Sequence, residues 1–148
     1  MLKKLIILLL LSASFSVFSD ESLILSVDEL CFEPSERNNE MYSGKSICKY
    51  SNGLISSEGK FKNGKKEDKW TYWNKNGQKS NEIYYKDGGK LVKETKYTYY
   101  GNGQLKWEKN YNKNGKYDGK VAKWKKNGQR LNEKKYHDGG KLVNETKY

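Results

Sequence analysis

The residues of this chain with the clearest chemical potential are Cys31 and Cys48, its only two cysteines among 148 residues. An even count in an oxidising compartment is normally paired. Closing the intervening loop of about 18 residues would be worth roughly 3 kcal/mol in the chain-entropy model. The other arrangement is two buried thiols packed as small hydrophobes. His137 is the single histidine and lies beside the Asp138-Gly139 turn, where a solvated side chain is expected. No catalytic triad or metal cluster can be assembled around it. Glu58, Glu82, Glu108 and Glu133 recur at equivalent places, three residues before an aromatic. Such a row could hold a cation, but lysines surround it, so ion pairs across strands on an exposed face are the expectation. Asn112-Lys113-Asn114-Gly115 and Asp118-Gly119 have the oxygen-rich look of a calcium loop. They lack the closing bidentate glutamate, and the lysines oppose a cation. Asn144-Glu145-Thr146 matches a glycosylation sequon, but it falls inside a duplicated motif where chance explains it. No phosphate-cradling glycine motif is present. The chain therefore reads as non-enzymatic, with no metal and no cofactor.

The compartment follows from the first nineteen residues. Lys3 and Lys4 precede the apolar run Leu5 to Leu11, and Val17-Phe18-Ser19 stands before Asp20. This is the pattern of a signal peptide, residues 1–19, cleaved between Ser19 and Asp20. The run is shorter than the roughly 20 residues of a spanning helix and is diluted by serines. The expected product is exported, periplasmic or secreted, soluble, and without a transmembrane segment after cleavage. Charge is unevenly spread over it. Asp20 to Tyr50 holds seven acidic and three basic residues, whereas Ser51 to Tyr148 holds 24 basic and 11 acidic ones. That asymmetry suggests an acidic partner, or a leader folded back on a basic body; lysines that only solubilise a sheet and blunt its edges account for it more simply.

The body that must position these residues is a repeat. Asp87 to Tyr97 returns as Asp138 to Tyr148 with ten of eleven residues identical. Within each copy, half-units of about 25 residues nest. One glycine series, Gly53, Gly77, Gly103 and Gly128, follows asparagine each time; a second, Gly64, Gly88, Gly115 and Gly139, follows Asn or Asp. Asn-Gly between aromatic-rich segments signals a hairpin, because both residues tolerate the positive φ of a tight reversal. Two turns per repeat mean two strands per repeat. The expected organisation is a leader, residues 20–40, with a strand at Leu23 to Val27 and then a loop. An all-β array follows over residues 41–148, with a first strand from Met41 to Tyr50 and then about four repeats. These give about eight antiparallel strands connected as a meander, an elongated sheet with neither face wholly dry. Aromatic columns mark the register: Phe61, Tyr85, Tyr111 and Tyr136 before the second glycines, Trp73, Tyr100 and Trp124 before the Asn-Gly turns. Members of a column on adjacent hairpins are expected to stack. Basic residues among rings also describe single-stranded nucleic-acid binding. Export argues against that partner, and packing within the array explains the periodicity without it.

Gly64-Lys65-Lys66-Glu67-Asp68-Lys69-Trp70-Thr71-Tyr72-Trp73, followed by Asn76-Gly77-Gln78, resembles the MORN variant repeat of the YwqK-family antitoxins. So does its parallel from Gly115 to Lys120 with Asn127-Gly128-Gln129. The resemblance covers residues 41–148. It departs from the repeat where Glu67-Asp68 replaces Asp-Gly and where the turns at Gly88-Gly89 and Gly139-Gly140 are longer. It implies a protein-interaction module, with an antitoxin- or immunity-like role, and no catalytic residues. The rival expectation is an envelope-binding protein holding anionic glycans or lipids on a lysine-rich face. Ionic strength separates the two, because only the second should weaken steeply with salt.

Overall fold

The structure, a computed structural model, describes the backbone of Glu29–Cys31 and residues 42–148. The signal peptide, its Ser19/Asp20 junction and the strand expected at Leu23 to Val27 lie outside the described residues. Ten strands run in chain order: β1 Glu29–Cys31, β2 Gly44–Tyr50, β3 Ile55–Lys62, β4 Lys65–Trp73, β5 Lys79–Lys86, β6 Lys90–Tyr99, β7 Leu105–Asn112, β8 Tyr117–Trp124, β9 Arg130–His137 and β10 Lys141–Lys147. They form one open sheet in which every strand pairs antiparallel with its sequence neighbours. At about 4.8 Å per strand the sheet is roughly 43 Å across. Strand β2 and the four hairpins β3 to β10 are the expected array. β1 corrects the expectation of a loop after Leu23 to Val27: Leu30 and Cys31 are strand, because they pair with the edge of β2 that would otherwise present unpaired backbone groups.

The two glycine series make different turns. In the first series only glycine has positive φ: Gly53 84°, Gly77 75°, Gly103 85° and Gly128 85°. The preceding asparagines do not, which corrects the two-residue reading of these Asn-Gly pairs. Each is a longer loop closed by paired backbone bonds, such as Tyr50 N–H to the Leu54 carbonyl (2.8 Å) and Gly53 N–H to the Tyr50 carbonyl (2.9 Å). This is a type I turn with a left-handed glycine after it. Asparagine is used for its side chain instead, since Asn52 Oδ1 accepts from Leu54 N–H and Asn76 N–H is held by Asn74 Oδ1. In the second series Asn63 (51°), Asp87 (47°) and Asp138 (50°) join their glycines at positive φ, in a two-residue turn between Lys62 and Lys65 and three-residue turns before Lys90 and Lys141. Gly115 is the exception and turns as the first series does, with Asn112 N–H to the Lys116 carbonyl (2.9 Å) and Gly115 N–H to the Asn112 carbonyl (3.0 Å).

Little of the sheet is core. Among the described residues the buried apolar side chains are Cys48, Trp70, Val121 and Ala122, with Ser46, Ser56, Ser57 and Thr71 as buried polar ones. Neither face is wholly dry. Residues in register share a face, so Cys48, Ser57, Tyr72 and Asn81 lie in one row across β2 to β5, while Ile47, Glu58, Thr71 and Glu82 lie in a row on the other face. Trp70, 2% exposed, packs on Gly59, where a Cβ would overlap the indole. The equivalent pair in the second copy is Val121 with Lys109, a small residue opposite a large one where the first copy has the reverse. Each copy also carries a β-bulge with a left-handed residue, Asp68 (φ 57°) on β4 and Gly119 (φ 89°) on β8. The Glu67-Asp68 departure thus keeps the backbone geometry of Asp118-Gly119.

Candidate binding surfaces

Each of the four repeated glutamates is ion-paired. Glu58 meets Lys45 (3.3 Å), Glu82 meets Lys79 (2.8 Å) and Lys69 (3.4 Å), Glu108 meets Lys120 (2.9 Å), and Glu133 meets Arg130 (2.9 Å). Their setting departs from the expectation of pairs across strands on an exposed face: Lys79 and Arg130 lie three residues before Glu82 and Glu133 on the same strand, and the Glu82 side chain is only 16% exposed, while Glu58 stays 37% exposed. Small residues stand between them in register, Thr71 between Glu58 and Glu82 and Ala122 between Glu108 and Glu133, so the longer neighbours close over the carboxylates. Burial alone would raise the Glu82 pKa. Hydrogen bonds from Lys79 and from the Tyr97 hydroxyl (2.8 Å), with the charges of Lys79 and Lys69, outweigh it and hold the carboxyl below its ordinary value. The same contact acts in reverse on Tyr97, whose pKa is raised by burial and by the adjacent Glu82 carboxylate. Among the described residues no group of His, Cys, Asp and Glu is placed to hold a metal ion.

The aromatic columns are assembled differently from the expectation. Phe61, Tyr85, Tyr111 and Tyr136 sit on alternate strands, about 9.6 Å apart, beyond the reach of direct ring contact. Intervening strands supply the bridge. Tyr117 on β8 lies 5.1 Å from both Tyr111 and Tyr136. At the equivalent place on β4, Lys66 sits 4.3 Å from the centre of Trp70, with its Nζ donating to the Tyr72 hydroxyl at 2.8 Å, and Phe61 meets Trp70 edge-on at 4.9 Å. In the other column the links run to backbone and join pairs only: the Tyr50 hydroxyl donates to the Trp73 carbonyl (2.6 Å) and that of Tyr100 to the Trp124 carbonyl (2.7 Å). Asn52, Gln78 and Asn102 reach the next turn in the same way, accepted by the carbonyls of Lys75, Gly103 and Lys126. Reading only like positions in successive repeats could not find Lys66 or Tyr117, because they occupy the other strand of each hairpin.

Lysines are distributed over both faces, which corrects the expectation of one lysine-rich face. Lys69 and Lys93 flank Tyr84 in one register row, while Lys96 and Lys109 face each other on the opposite side. Several are held over rings, Lys93 over Tyr84 (4.2 Å), and Lys109 and Lys123 both over Trp107 (4.7 and 4.9 Å). The turn row of the second glycine series is different: Lys62 faces Lys65 and Lys86 faces Lys90 directly across their strands. Between those two turns lies a depression of about 330 Å³, lined by Lys62, Lys65, Glu67 and Asp87 among others. Asn112, suspected as part of a cation loop, spends its Oδ1 on the backbone N–H groups of Asn114 (2.9 Å) and Lys116 (3.2 Å). His137 opposes Lys141 at the β9–β10 turn and is exposed. Cys31 and Cys48 are register partners on β1 and β2, and Cys48 is buried.

No family model, curated protein or solved structure matches the chain.

Proposed function

We propose that this chain is a non-enzymatic interaction module of the MORN-variant type, exported after cleavage at Ser19, whose partner is a protein, with an antitoxin- or immunity-like role. The observation that carries the reading is the single open layer: a sheet that buries so few of its own apolar side chains displays rings and charges on both faces instead of enclosing a site. The ion pairs and the lysines over rings pre-order that display, so less side-chain entropy is lost on binding. Titration of the mature chain with the product of the adjacent gene, at low and at high salt, tests it. A complex that survives high salt supports a protein interface, and no complex with a secreted toxin encoded there removes the immunity role.

The turn row of the second glycine series favours a second reading, an anionic envelope glycan or lipid. Like charges directly opposite one another destabilise a sheet, yet Lys62/Lys65 and Lys86/Lys90 close successive hairpins. An anionic ligand would offset that cost. Heparin and vesicles containing anionic lipid are suitable probes, and binding that does not fall steeply with salt would exclude this reading.

The leader is fastened to the array by a Cys31–Cys48 disulfide in the same proposal. Directly opposed residues of an antiparallel pair have Cα atoms about 4.5 or 5.5 Å apart, within the span of a disulfide. Labelling of denatured, unreduced protein should find no free thiol, and reduction should lower the melting point; two labelled thiols per chain would end the claim.

A further inference from the structure

A cleft of about 360 Å³ on the first copy lies over β2 to β5. Three rings, Tyr50, Tyr72 and Trp73, form part of its wall, and Ser56, Ser80 and Asn81 supply neutral hydroxyl and amide groups. Ile83 completes it, so no charged side chain lines the cleft although 32% of the chain is charged. The walls are pre-set. The Tyr50 hydroxyl is tied to the Trp73 carbonyl (2.6 Å), the Tyr72 hydroxyl accepts from Lys66 (2.8 Å), and Asn81 is oriented by donating to Glu94 (2.6 Å). Ser56, 3% exposed, is the most deeply buried of the serines that line it.

The second copy shows what the same frame becomes with other residues. Tyr100, Trp124 and Asn132 repeat Tyr50, Trp73 and Asn81, and Lys123 faces Asn132 in register as Tyr72 faces Asn81. There, however, Lys106, Lys123 and Lys134 stand at the positions of Ser56, Tyr72 and Ile83. The fold therefore tolerates lysine at all three places, and an uncharged wall is not a requirement of the sheet.

We infer that the first-copy cleft binds an uncharged sugar ring of a glycan. Flat rings take the C–H face of a pyranose, while Ser and Asn groups exchange hydrogen bonds with its hydroxyls, and neither interaction calls for charge. An apolar peptide side chain would leave the polar wall unpaired, and an anionic ligand would be better served by the lysines of the second copy. The site is independent of the lysine turn row and of any protein partner, so it stands or falls separately from both readings above.

The test uses the full mature chain, with chitotetraose, cellotetraose and maltotetraose as probes, followed by tryptophan fluorescence and saturation-transfer NMR. At least one should bind saturably, with little dependence on salt. Trp73→Ala should weaken it at least about tenfold, the loss of one stacked ring. Ile83→Lys, which copies Lys134, should do the same while leaving the fold intact, and it decides the matter if Trp73→Ala does not fold. Trp124→Ala in the second copy should leave binding unchanged. No saturable binding by any of the three sugars, equal loss in Trp124→Ala, or occupation of the cleft by a proline-rich peptide in place of sugar would overturn the inference.

Discussion

The eleven residues Asp87 to Tyr97, which turn into β6, are nearly those of Asp138 to Tyr148, which turn into β10, yet β6 lies inside the described sheet and β10 at its edge. Their turns are alike, with Asp87 and Asp138 at φ 47° and 50° and Gly88 and Gly139 at 78° and 70°. Their surroundings are not. β6 pairs with both β5 and β7, whereas β10 pairs only with β9 among the described strands. Val92 is 38% exposed and Val143 56%; Tyr97 is half-buried against Glu82, whereas Tyr148 is 61% exposed. Backbone conformation at the turn is thus a local property of Asp-Gly-Gly, while burial and hydrogen bonding come from the neighbouring strand. The same Tyr is a structural donor in one copy and a surface residue in the other.

The sharpest way to break the comparison is proline. Tyr148 N–H donates to the Leu131 carbonyl on β9 (3.1 Å), so by alternation the Glu145 N–H points away from β9, and its counterpart Glu94 N–H points toward β7. Glu94→Pro should cost at least about 2 kcal/mol through the lost ladder bond and the carbonyl left unpaired, and Glu145→Pro under about 1 kcal/mol. Urea unfolding of the two variants measures this, and equal losses would mean that β10 is paired on both sides.

A smaller difference is expected from the tyrosines. Tyr97→Phe removes a hydrogen bond to a carboxylate and should cost about 1.5 kcal/mol, while Tyr148→Phe should stay within about 0.5 kcal/mol. The pH dependence carries the same information. Glu82 is held below 4.5 in the fold, so its contribution is whole above that pH and is lost as pH falls through the folded value. Tyr97 is raised above 10.0, so its contribution is whole below that pH and is lost as pH rises through the folded value. Tyr97→Phe should flatten the alkaline decline and reduce the acid one in pH-resolved melting curves; unchanged profiles would show that the pair contributes nothing.

The smallest effect tests the local half of the comparison. Gly119→Ala places a Cβ at φ 89°, where the nearest atoms are in ordinary contact, so its cost of about 1 kcal/mol should be conformational alone. Asp68→Gly, at the matching bulge of the first copy, should be neutral or stabilising by a few tenths of a kcal/mol. Thermal melts check both, and a large loss for Asp68→Gly would show that the aspartate side chain, rather than the backbone geometry, maintains that bulge.

Much of the architecture was open to reading because its causes are local. Asn, Asp and Gly mark each reversal whatever surrounds them, which made the number of hairpins and their order legible. The glutamate row was legible as ion pairs, but not its partners: Lys45, Lys69 and Lys120 reach Glu58, Glu82 and Glu108 across strands, whereas Lys79 and Arg130 reach Glu82 and Glu133 along the same strand. Finer turn geometry was not: Asn-Gly supports both a two-residue reversal and a longer loop, and the side-chain bonds of Asn52 and Asn74 select the latter.

Adjacency across strands was decided only by tertiary structure. Lys66 among Trp70 and Tyr72, Tyr117 between Tyr111 and Tyr136, and Cys31 opposite Cys48 each depend on which residue of a neighbouring strand falls alongside, and a single bulge shifts that by one. The uncharged cleft of the first copy and the lysines at its counterpart were present in the sequence as separate letters. Only the register gathers Tyr50, Tyr72, Trp73 and Asn81 from three different strands and the turns between them into one wall. Chain-local physics determined where this protein turns; the pairing of its strands determined which side chains meet, because distances between strands are set by hydrogen bonding across the sheet and not by separation along the chain.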